Sequence, residues 1–252
     1  MSAPATIKKL RADQMLVERG LAPSRSRAAD MVRRGCVAVA GMTVTKPGQT
    51  FASDCAVSVE DVGSRYVSRA ALKLKGALET TGWNVEGARA LDLGASTGGF
   101  TQVLLERGAR HVVALDVGHG QLATSIREDA RVTVLEHFNA RDLTANDLPF
   151  TPDFIVSDMS FISLRIAAEP ALRLAEPSAH CILLVKPQFE VGRDGIGKGG
   201  LVRDAALIPP MLEGMRDWLN GLPGWQVDHL LSSSIRGSDG NQEYLLCGSR
   251  HG

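Results

Sequence analysis

The chain has 252 residues, of which 44% are hydrophobic, so it can hold one large domain or a small and a medium one. Its 28 basic and 28 acidic residues cancel, so binding of a polyanion has to depend on local patches and not on bulk charge. The 4 cysteines form no C-x-x-C pair, no apolar run approaches the ~20 residues of a membrane span, and residues 1–9 lack the apolar core of a secretory signal. We therefore expect a cytoplasmic protein without a zinc site.

The first part of the chain predicts a small basic module. Apolar residues near helical spacing indicate a helix over residues 10–19, and Ser24 is placed to cap a second helix that ends at Gly35. Short β runs follow, with a hairpin over residues 37–44 and a last strand within residues 51–59. From residue 8 to residue 46 there are nine basic and three acidic residues, a local charge of +6.

Charge alone leaves two interpretations of this module open, a solvated helix face and a surface for a phosphate backbone. The order of helix, Ser-Arg helix, glycine, short strands and Lys-x-Gly turn resembles the S-four-type RNA-binding domain, over about fifty residues. The resemblance implies that structured RNA is bound by six cationic side chains: Arg11, Arg25, Arg27, Arg33, Arg34 and Lys46. A polar joint at residues 61–64 predicts two domains, residues 1–62 and residues 63–252.

A glycine-containing stretch at residues 90–101 predicts the ligand corner of a doubly wound α/β sheet. An apolar strand breaks at Gly94 and a helical pattern follows. A dinucleotide site expects a second glycine where Ser96 stands, and a hydrolase elbow, which residues 94–98 match, expects an upstream oxyanion loop that is missing. S-adenosylmethionine (SAM) brings no phosphate and expects an acid at the end of the next strand, where Asp116 stands. The stretch therefore favours SAM.

The rest of the larger domain alternates strands and helices. The predicted helices cover residues 66–78, 100–107, 121–129, 164–176 and 204–220. The predicted strands cover residues 90–93, 111–116, 131–138, 153–158, 181–186, 225–231 and 244–247. This alternation predicts a Rossmann-like sheet of seven strands with helices on both faces, which suits a SAM-dependent methyltransferase. Polar residues stand at five consecutive strand ends and together predict a lined cleft: Asp92, Asp116, Asn139, Asp158 and Lys186.

A glycine-rich loop follows Lys186. Residues 192–198 match the G-x-x-x-x-G-K part of a phosphate loop. However, Gly199 replaces the Ser or Thr that would bind Mg²⁺, and the next helix begins later, so an ATPase is rejected. A mobile lid hinged on glycines is favoured, while a disordered loop remains open.

Five motifs of the chain resemble the TlyA family of hemolysin-A-like proteins. They are Ser68-Arg-Ala-x-x-Lys73-Leu, Gly94-Ala-Ser-Thr-Gly-Gly-Phe-Thr, Ser157-Asp158-Met-Ser-Phe, Val185-Lys186-Pro-Gln-Phe-Glu and Asn241-Gln-Glu243-Tyr. The catalytic domain is also similar to the broader FtsJ/RrmJ-like group. The resemblance implies ribosomal RNA 2′-O-methylation, with cytidine riboses as targets and ribosomal subunits as partners. It places a catalytic tetrad on Lys73, Asp158, Lys186 and Glu243.

The chemistry explains why such a tetrad is useful. A ribose hydroxyl is a weak acid that must lose its proton as it attacks the SAM methyl, and a lysine accepts that proton only in its neutral form. Acid–base help of this kind typically contributes 10²–10⁴-fold. The carboxylates then orient the lysines and the hydroxyl, and no metal is required. Which lysine is the base stays open. The residues expected to bind SAM are Asp92, Gly94, Ser96, Gly98, Gly99, Asp116 and Asn139.

Two alternatives from other classes remain. One is a membrane-active hemolysin, which the family's historical name suggests and the absence of a signal or apolar span disfavours. The other is a noncatalytic ribosome-assembly factor with vestigial SAM binding. The sequence leaves the target nucleotide, the subunit and the oligomeric state open.

Overall fold

The computed structural model describes residues 8–59, 65–237 and 239–252. The chain divides into two compact units, Met1–Arg65 and Tyr66–Gly252, and each is treated by itself below. The predicted joint at residues 61–64 lies outside the described residues, and so do residues 1–7. The boundary at residues 62 and 63 therefore stays a prediction.

The N-terminal unit consists of short strands and two helices. Its elements in chain order are β1 (Lys9–Arg11), α1 (Ala12–Glu18), α2 (Arg25–Arg33), β2 (Val37–Val39), β3 (Met42–Val44), β4 (Thr50–Ala52) and β5 (Val57–Val59). Strand β1 pairs with β4, while β2 lies between β3 and β5. The apolar faces of the helices and strands, including Leu16, Ala28 and Val37, pack into one small core.

Two details of this unit differ from the sequence prediction. The single strand predicted within residues 51–59 is two strands, because β4 and β5 pair with different partners on either side of a turn. Leu10, predicted in the first helix, lies in β1, where its side chain is buried. The predicted helix cap is correct, since the Ser24 hydroxyl accepts a hydrogen bond from the Arg27 N–H at 3.2 Å.

The C-terminal unit is built on a seven-stranded sheet. Its strands are β6 (Arg89–Leu93), β7 (His111–Leu115), β8 (Val132–Leu135), β9 (Phe154–Ser157), β10 (His180–Val185), β11 (Trp225–Ser232) and β12 (Tyr244–Arg250). They lie in the order β11-β12-β10-β9-β6-β7-β8, with β12 antiparallel to both of its neighbours. The predicted seven-stranded α/β sheet is confirmed.

Helices cover both faces of this sheet. They are α3 (Ala71–Thr81), α4 (Gly99–Glu106), α5 (Thr124–Arg127), α6 (Leu164–Leu174), α7 (Pro187–Glu190) and α8 (Ile208–Asn220). Leu74 and Phe100 belong to the core on one face, and Leu172 and Met215 to the core on the other, so the central strands are apolar on both sides. Within the described ranges, no helix has both the length and the apolar content that crossing a membrane requires.

The position of β6 sets the ligand-binding edge of the sheet. It pairs with β7 on one side and with β9 on the other, and the chain order reverses between these neighbours. A crevice opens at such a reversal, beyond the carboxyl ends of the parallel strands. The turn at Gly94 and the loop that carries Asp158 both leave the sheet at this point.

Candidate active site

The glycine turn after β6 depends on residues without side chains. Gly94 and Gly98 have φ angles of +78° and +95°, which favour glycine strongly. A Cβ added at Gly94 would lie 3.0 Å from the carbonyl oxygen of Asp158, and one at Gly98 would lie 2.9 Å from Leu122. The turn can therefore approach the loop after β9 closely, and α4 begins at the next residue, Gly99.

Asp116 is held in place at the end of β7 by backbone donors. The Ser96 N–H donates to one carboxylate oxygen at 2.7 Å, and the Gly118 N–H donates to the other at 2.7 Å. The Ser96 hydroxyl donates to Gln121 at 3.2 Å. This role of Gln121 could not be predicted from the sequence, because a single amide in a loop gives no pattern. The predicted acid is thus tied to the glycine turn.

A cavity of about 470 Å³ lies beside Asp116. Phe138, Met159 and Ile162 give it apolar walls, and Asn139 adds an amide to its lining. The side-chain oxygen Oδ1 of Asn139 accepts a hydrogen bond from the Arg141 N–H at 3.2 Å, which fixes the side chain. The size of the cavity and its lining, which is mostly apolar with a few fixed polar groups, are those of a small-molecule site.

Asp92 lies beneath the glycine turn and is fully buried. The Thr101 hydroxyl donates to its Oδ2 at 2.6 Å, while Oδ1 has no hydrogen-bond partner among the described residues. Burial raises the pKa of Asp92 to about 7, and the charges of Asp158 and Asp116 act in the same direction. The sequence placed Asp92 among the cofactor contacts, and its burial favours a supporting position under the turn.

Asp92 is expected to make the protein less stable as the pH rises from about 4 to 7. Its carboxyl loses the proton near pH 4 in the unfolded chain but near pH 7 in the folded one. Between these values only the unfolded state is ionised, so the free energy of unfolding falls by at most about 1.4 kcal/mol per pH unit. Urea unfolding from pH 4 to 8 should show this slope in the wild type and a smaller one in Asp92→Asn.

Asp129→Asn is the control for this prediction, because hydrogen bonds from Arg131 lower the pKa of Asp129 to about 2. A carboxyl of that kind stabilises the folded state above its unfolded pKa and loses this effect as the pH falls. Its removal should therefore leave the slope between pH 4 and 7 nearly unchanged. An Asp92→Asn protein with the wild-type slope would contradict the assignment.

The four tetrad residues meet in one cluster. Lys73 Nζ lies 2.6 Å from Glu243 Oε2 and 3.8 Å from Asp158 Oδ2. Lys186 Nζ lies 2.6 Å from the other Asp158 oxygen. Asp158 thus stands between the two lysines. These residues come from α3, the loop after β9, the end of β10 and the residue before β12, so the fold brings together what the chain separates widely.

The cluster borders a second cavity of about 240 Å³. Lys73 and Glu243 form its buried side, at 6% and 2% exposure, while the side chains of Lys186 and Asp158 are 10% and 16% exposed. The two cavities share four lining residues, one of which belongs to the tetrad: Gly94, Ser96, Asp158 and Ser160. Among the described residues, no group of three or more His, Cys, Asp or Glu is arranged to hold a metal ion.

The glycine-rich loop after α7 is fastened to the segment before Glu243. Asn241, which is 6% exposed, accepts a hydrogen bond from the Val202 N–H at 3.1 Å and donates to the Gly200 carbonyl at 2.9 Å. An isolated bridge joins Ile196 to Val202. In this structure the loop is therefore hydrogen-bonded to the segment before Glu243. Asn241 stands in one of the five motifs, but its contact with the loop could not be predicted from the sequence. Whether the loop acts as a lid stays a prediction.

The cationic residues of the N-terminal unit differ in exposure. The side chain of Arg25 is 58% exposed and that of Arg11 45%, and both pair with the buried Asp13, whose pKa is lowered mainly by the hydrogen bond from Arg11. Arg33 and Lys46 are exposed. Arg27 and Arg34 are ion-paired with Asp30, and the Arg34 side chain is only 11% exposed. Its low exposure and its ion pair with Asp30 leave Arg34 less suited to reach a ligand than the other predicted residues.

The sheet, the glycine turn and the lysine–carboxylate cluster together define a methyltransferase fold, and comparison with known proteins agrees. The FtsJ-like methyltransferase model matches residues 66–250 and the S4 domain model matches residues 10–53. The chain therefore belongs to the FtsJ-like methyltransferase family and carries an S4 domain. The resemblance to the TlyA family is confirmed by the relatives.

Two relatives and one solved structure illustrate this membership. The 16S/23S rRNA (cytidine-2′-O)-methyltransferase TlyA of Mycobacterium tuberculosis is 45% identical, over 95% of this chain and 89% of its own. Hemolysin A of Brachyspira hyodysenteriae is 39% identical, over 94% and 98%. A solved structure from Streptococcus thermophilus with a provisional hemolysin name has a TM-score of 0.72 and 35% identity, over 98% of this chain and 90% of its own.

Proposed function

We propose that this protein transfers a methyl group from SAM to a ribose 2′-hydroxyl of ribosomal RNA, with cytidine as the target base. The observation that supports this most is the cluster of Lys73, Asp158, Lys186 and Glu243 on one cavity, which shares a wall with the Asp116 cavity. The relative from M. tuberculosis carries the name of an rRNA (cytidine-2′-O)-methyltransferase. As an enzyme of ribosomes, the protein is proposed to work in the cytoplasm.

The residues around the Asp116 cavity suit SAM. A fixed carboxylate at the strand end can accept hydrogen bonds from a ribose diol, and the apolar walls of Phe138, Met159 and Ile162 can enclose an adenine. Asn139 offers an amide to the edge of that base. Gly94, Ser96, Gly98 and Gly99 provide the close backbone approach for the methionine end. Bound SAM supplies an electrophilic methyl group on a sulfonium.

The tetrad can prepare the ribose hydroxyl for attack. Lys186 is the proposed base, because its Nζ contacts Asp158 and Ser160, which line both cavities, whereas Lys73 is held against the buried Glu243 at 2.6 Å. In its neutral form Lys186 takes the hydroxyl proton as the oxygen attacks. Asp158 orients Lys186 through the 2.6 Å contact and keeps both lysines on one side of the cavity. Alignment of this kind can remove a large part of the free-energy barrier to the reaction.

The N-terminal unit is proposed to bind the RNA backbone. Arg11 lies against Gly48, since a Cβ added there would be 3.5 Å from its guanidinium, and Lys46 begins the same turn. Arg11 and Arg25 share Asp13, so these cations form one patch on the unit. Their exposed guanidinium and ammonium groups suit phosphate oxygens.

Arg25→Ala and Lys46→Ala are each expected to weaken RNA binding about equally for all sequences. Each loses one phosphate contact, so the slope of log K against log salt should become shallower by about one. Fluorescence anisotropy with an rRNA fragment, titrated at several salt concentrations, measures both effects. Arg19→Ala removes the same charge from outside the predicted set and is the control. An unchanged slope in both variants would contradict the proposed patch.

The activity is tested by incubating the full chain with methyl-labelled SAM and isolated small subunits, large subunits or free rRNA. We expect label in RNA, and mapping of alkali-resistant linkages to place it on 2′-oxygens of cytidine. Label on a base would refute ribose transfer. RNA binding without heat of SAM binding in calorimetry would instead support the noncatalytic assembly factor. Leakage of liposomes on addition of the protein would support a membrane-active role.

A further inference from the structure

Lys186 has a second close neighbour besides Asp158. Its Nζ donates a hydrogen bond to the hydroxyl oxygen of Ser160 at 2.7 Å. The contact with Asp158 at 2.6 Å is an ion pair. Ser160 is exposed and lies two residues beyond Asp158, on the loop between β9 and α6. It stands in the motif that begins at Ser157, where no role was predicted for it.

We propose that Ser160 is a positioning residue for Lys186 in the methyl transfer. This inference rests on the proposed function. An amine nitrogen carries three substituent directions besides its carbon chain. Asp158 holds one N–H direction of the amine and the Ser160 hydroxyl holds a second. With both N–H groups of neutral Lys186 occupied in this way, its lone pair is left in the one remaining direction, away from both partners.

The place of Ser160 supports this role. It lines both the tetrad cavity and the Asp116 cavity, a property it shares with Gly94, Ser96 and Asp158. The hydroxyl to be methylated and the methyl donor have to meet at this shared wall. A group that orients the base at the wall acts on the attack itself and not on binding of either substrate.

The loop that carries Ser160 is held firmly at its far end. Glu190 of α7 accepts hydrogen bonds from the Ser163 hydroxyl at 2.8 Å and from the Leu164 N–H at 2.7 Å. It thereby caps the start of α6 from another element, and burial raises its pKa. Because Pro187 follows Lys186 directly and begins α7, this tie joins the element after Lys186 to the far end of the loop that carries Ser160.

Ser160→Ala is expected to lower kcat roughly ten- to hundredfold, since small misplacements of a reacting group cost rates of that order. The KM values for RNA and SAM should stay within about twofold, because binding is not involved.

Ser160→Thr keeps the hydroxyl and is expected to restore most of kcat. Ser249→Ala, at the opposite end of β12, controls for loss of a serine hydroxyl elsewhere in the unit. A Ser160→Ala protein with wild-type kcat, a Ser160→Thr protein as slow as the alanine, or a change in KM alone would each overturn the inference and leave the proposed function standing. If the wild type assayed beside these variants were inactive, the result would contradict both the inference and the proposed function.

Discussion

Replacing Lys186 by methionine is expected to lower the rate of methyl transfer by about 10²–10⁴-fold, the usual contribution of a positioned general base. Methionine is unbranched like lysine and one atom shorter, and it can neither take a proton nor pair with Asp158. The Asp116 cavity does not include Lys186, so the affinity for SAM should be unchanged. Single-turnover transfer to rRNA and calorimetric titration with SAM measure the two quantities separately.

Lys186→Arg provides the sharper control for this prediction. Arginine keeps the positive charge and the ion pair with Asp158, yet it cannot be deprotonated near neutral pH. If Lys186 is the base, the arginine variant should be nearly as slow as the methionine variant. If charge is what matters, it should be active. Lys198→Met changes one exposed lysine of the glycine-rich loop and is expected to transfer at the wild-type rate. Activity of Lys186→Met above a tenth of wild type would exclude Lys186 as the base.

Much of the fold and the candidate site could be predicted because both rest on short-range patterns. Buried parallel strands are apolar runs, so β6 to β10 were recognisable, and residues at their carboxyl ends meet at one edge of the sheet. That rule predicted that Asp116, Asp158 and Lys186 lie close together. Lys73 and Glu243 lie outside it and were placed through the motifs that resemble TlyA proteins.

The contacts that the sequence missed come from single residues whose partners are distant in the chain. Ser160 meets Lys186 across 26 positions and Asn241 meets Val202 across 39. A lone serine or asparagine has no periodicity, and its hydrogen bond exists only after the loops have folded against each other. The division of residues 51–59 into two strands has the same cause. Pairing of β4 with β1 depends on a partner 41 residues away, as the register of Phe51 with Leu10 shows.

Removing Lys73 is expected to destabilise the C-terminal unit by about 3–5 kcal/mol, because Glu243 would be left as an unpaired buried charge. Lys73→Met should therefore unfold at a clearly lower urea concentration than the wild type. The double variant Lys73→Met/Glu243→Gln leaves no unpaired charge and should recover at least half of the loss. Tryptophan fluorescence reports this unit alone, since all 3 tryptophans, Trp83, Trp218 and Trp225, lie within it.

Lys75→Met is the matched control, because Lys75 lies on the same helix and pairs with Glu79 at 3.7 Å near the surface. Exposed pairs of this kind contribute about 1 kcal/mol or less, since water screens both charges. A Lys73→Met protein no less stable than Lys75→Met would mean that water reaches Glu243. Burial of the pair with Glu243 would then not explain why Lys73 is unsuited to act as the base. The proposed division of labour between the two lysines, with Lys186 as base and Lys73 as fixed cation, depends on that difference in burial.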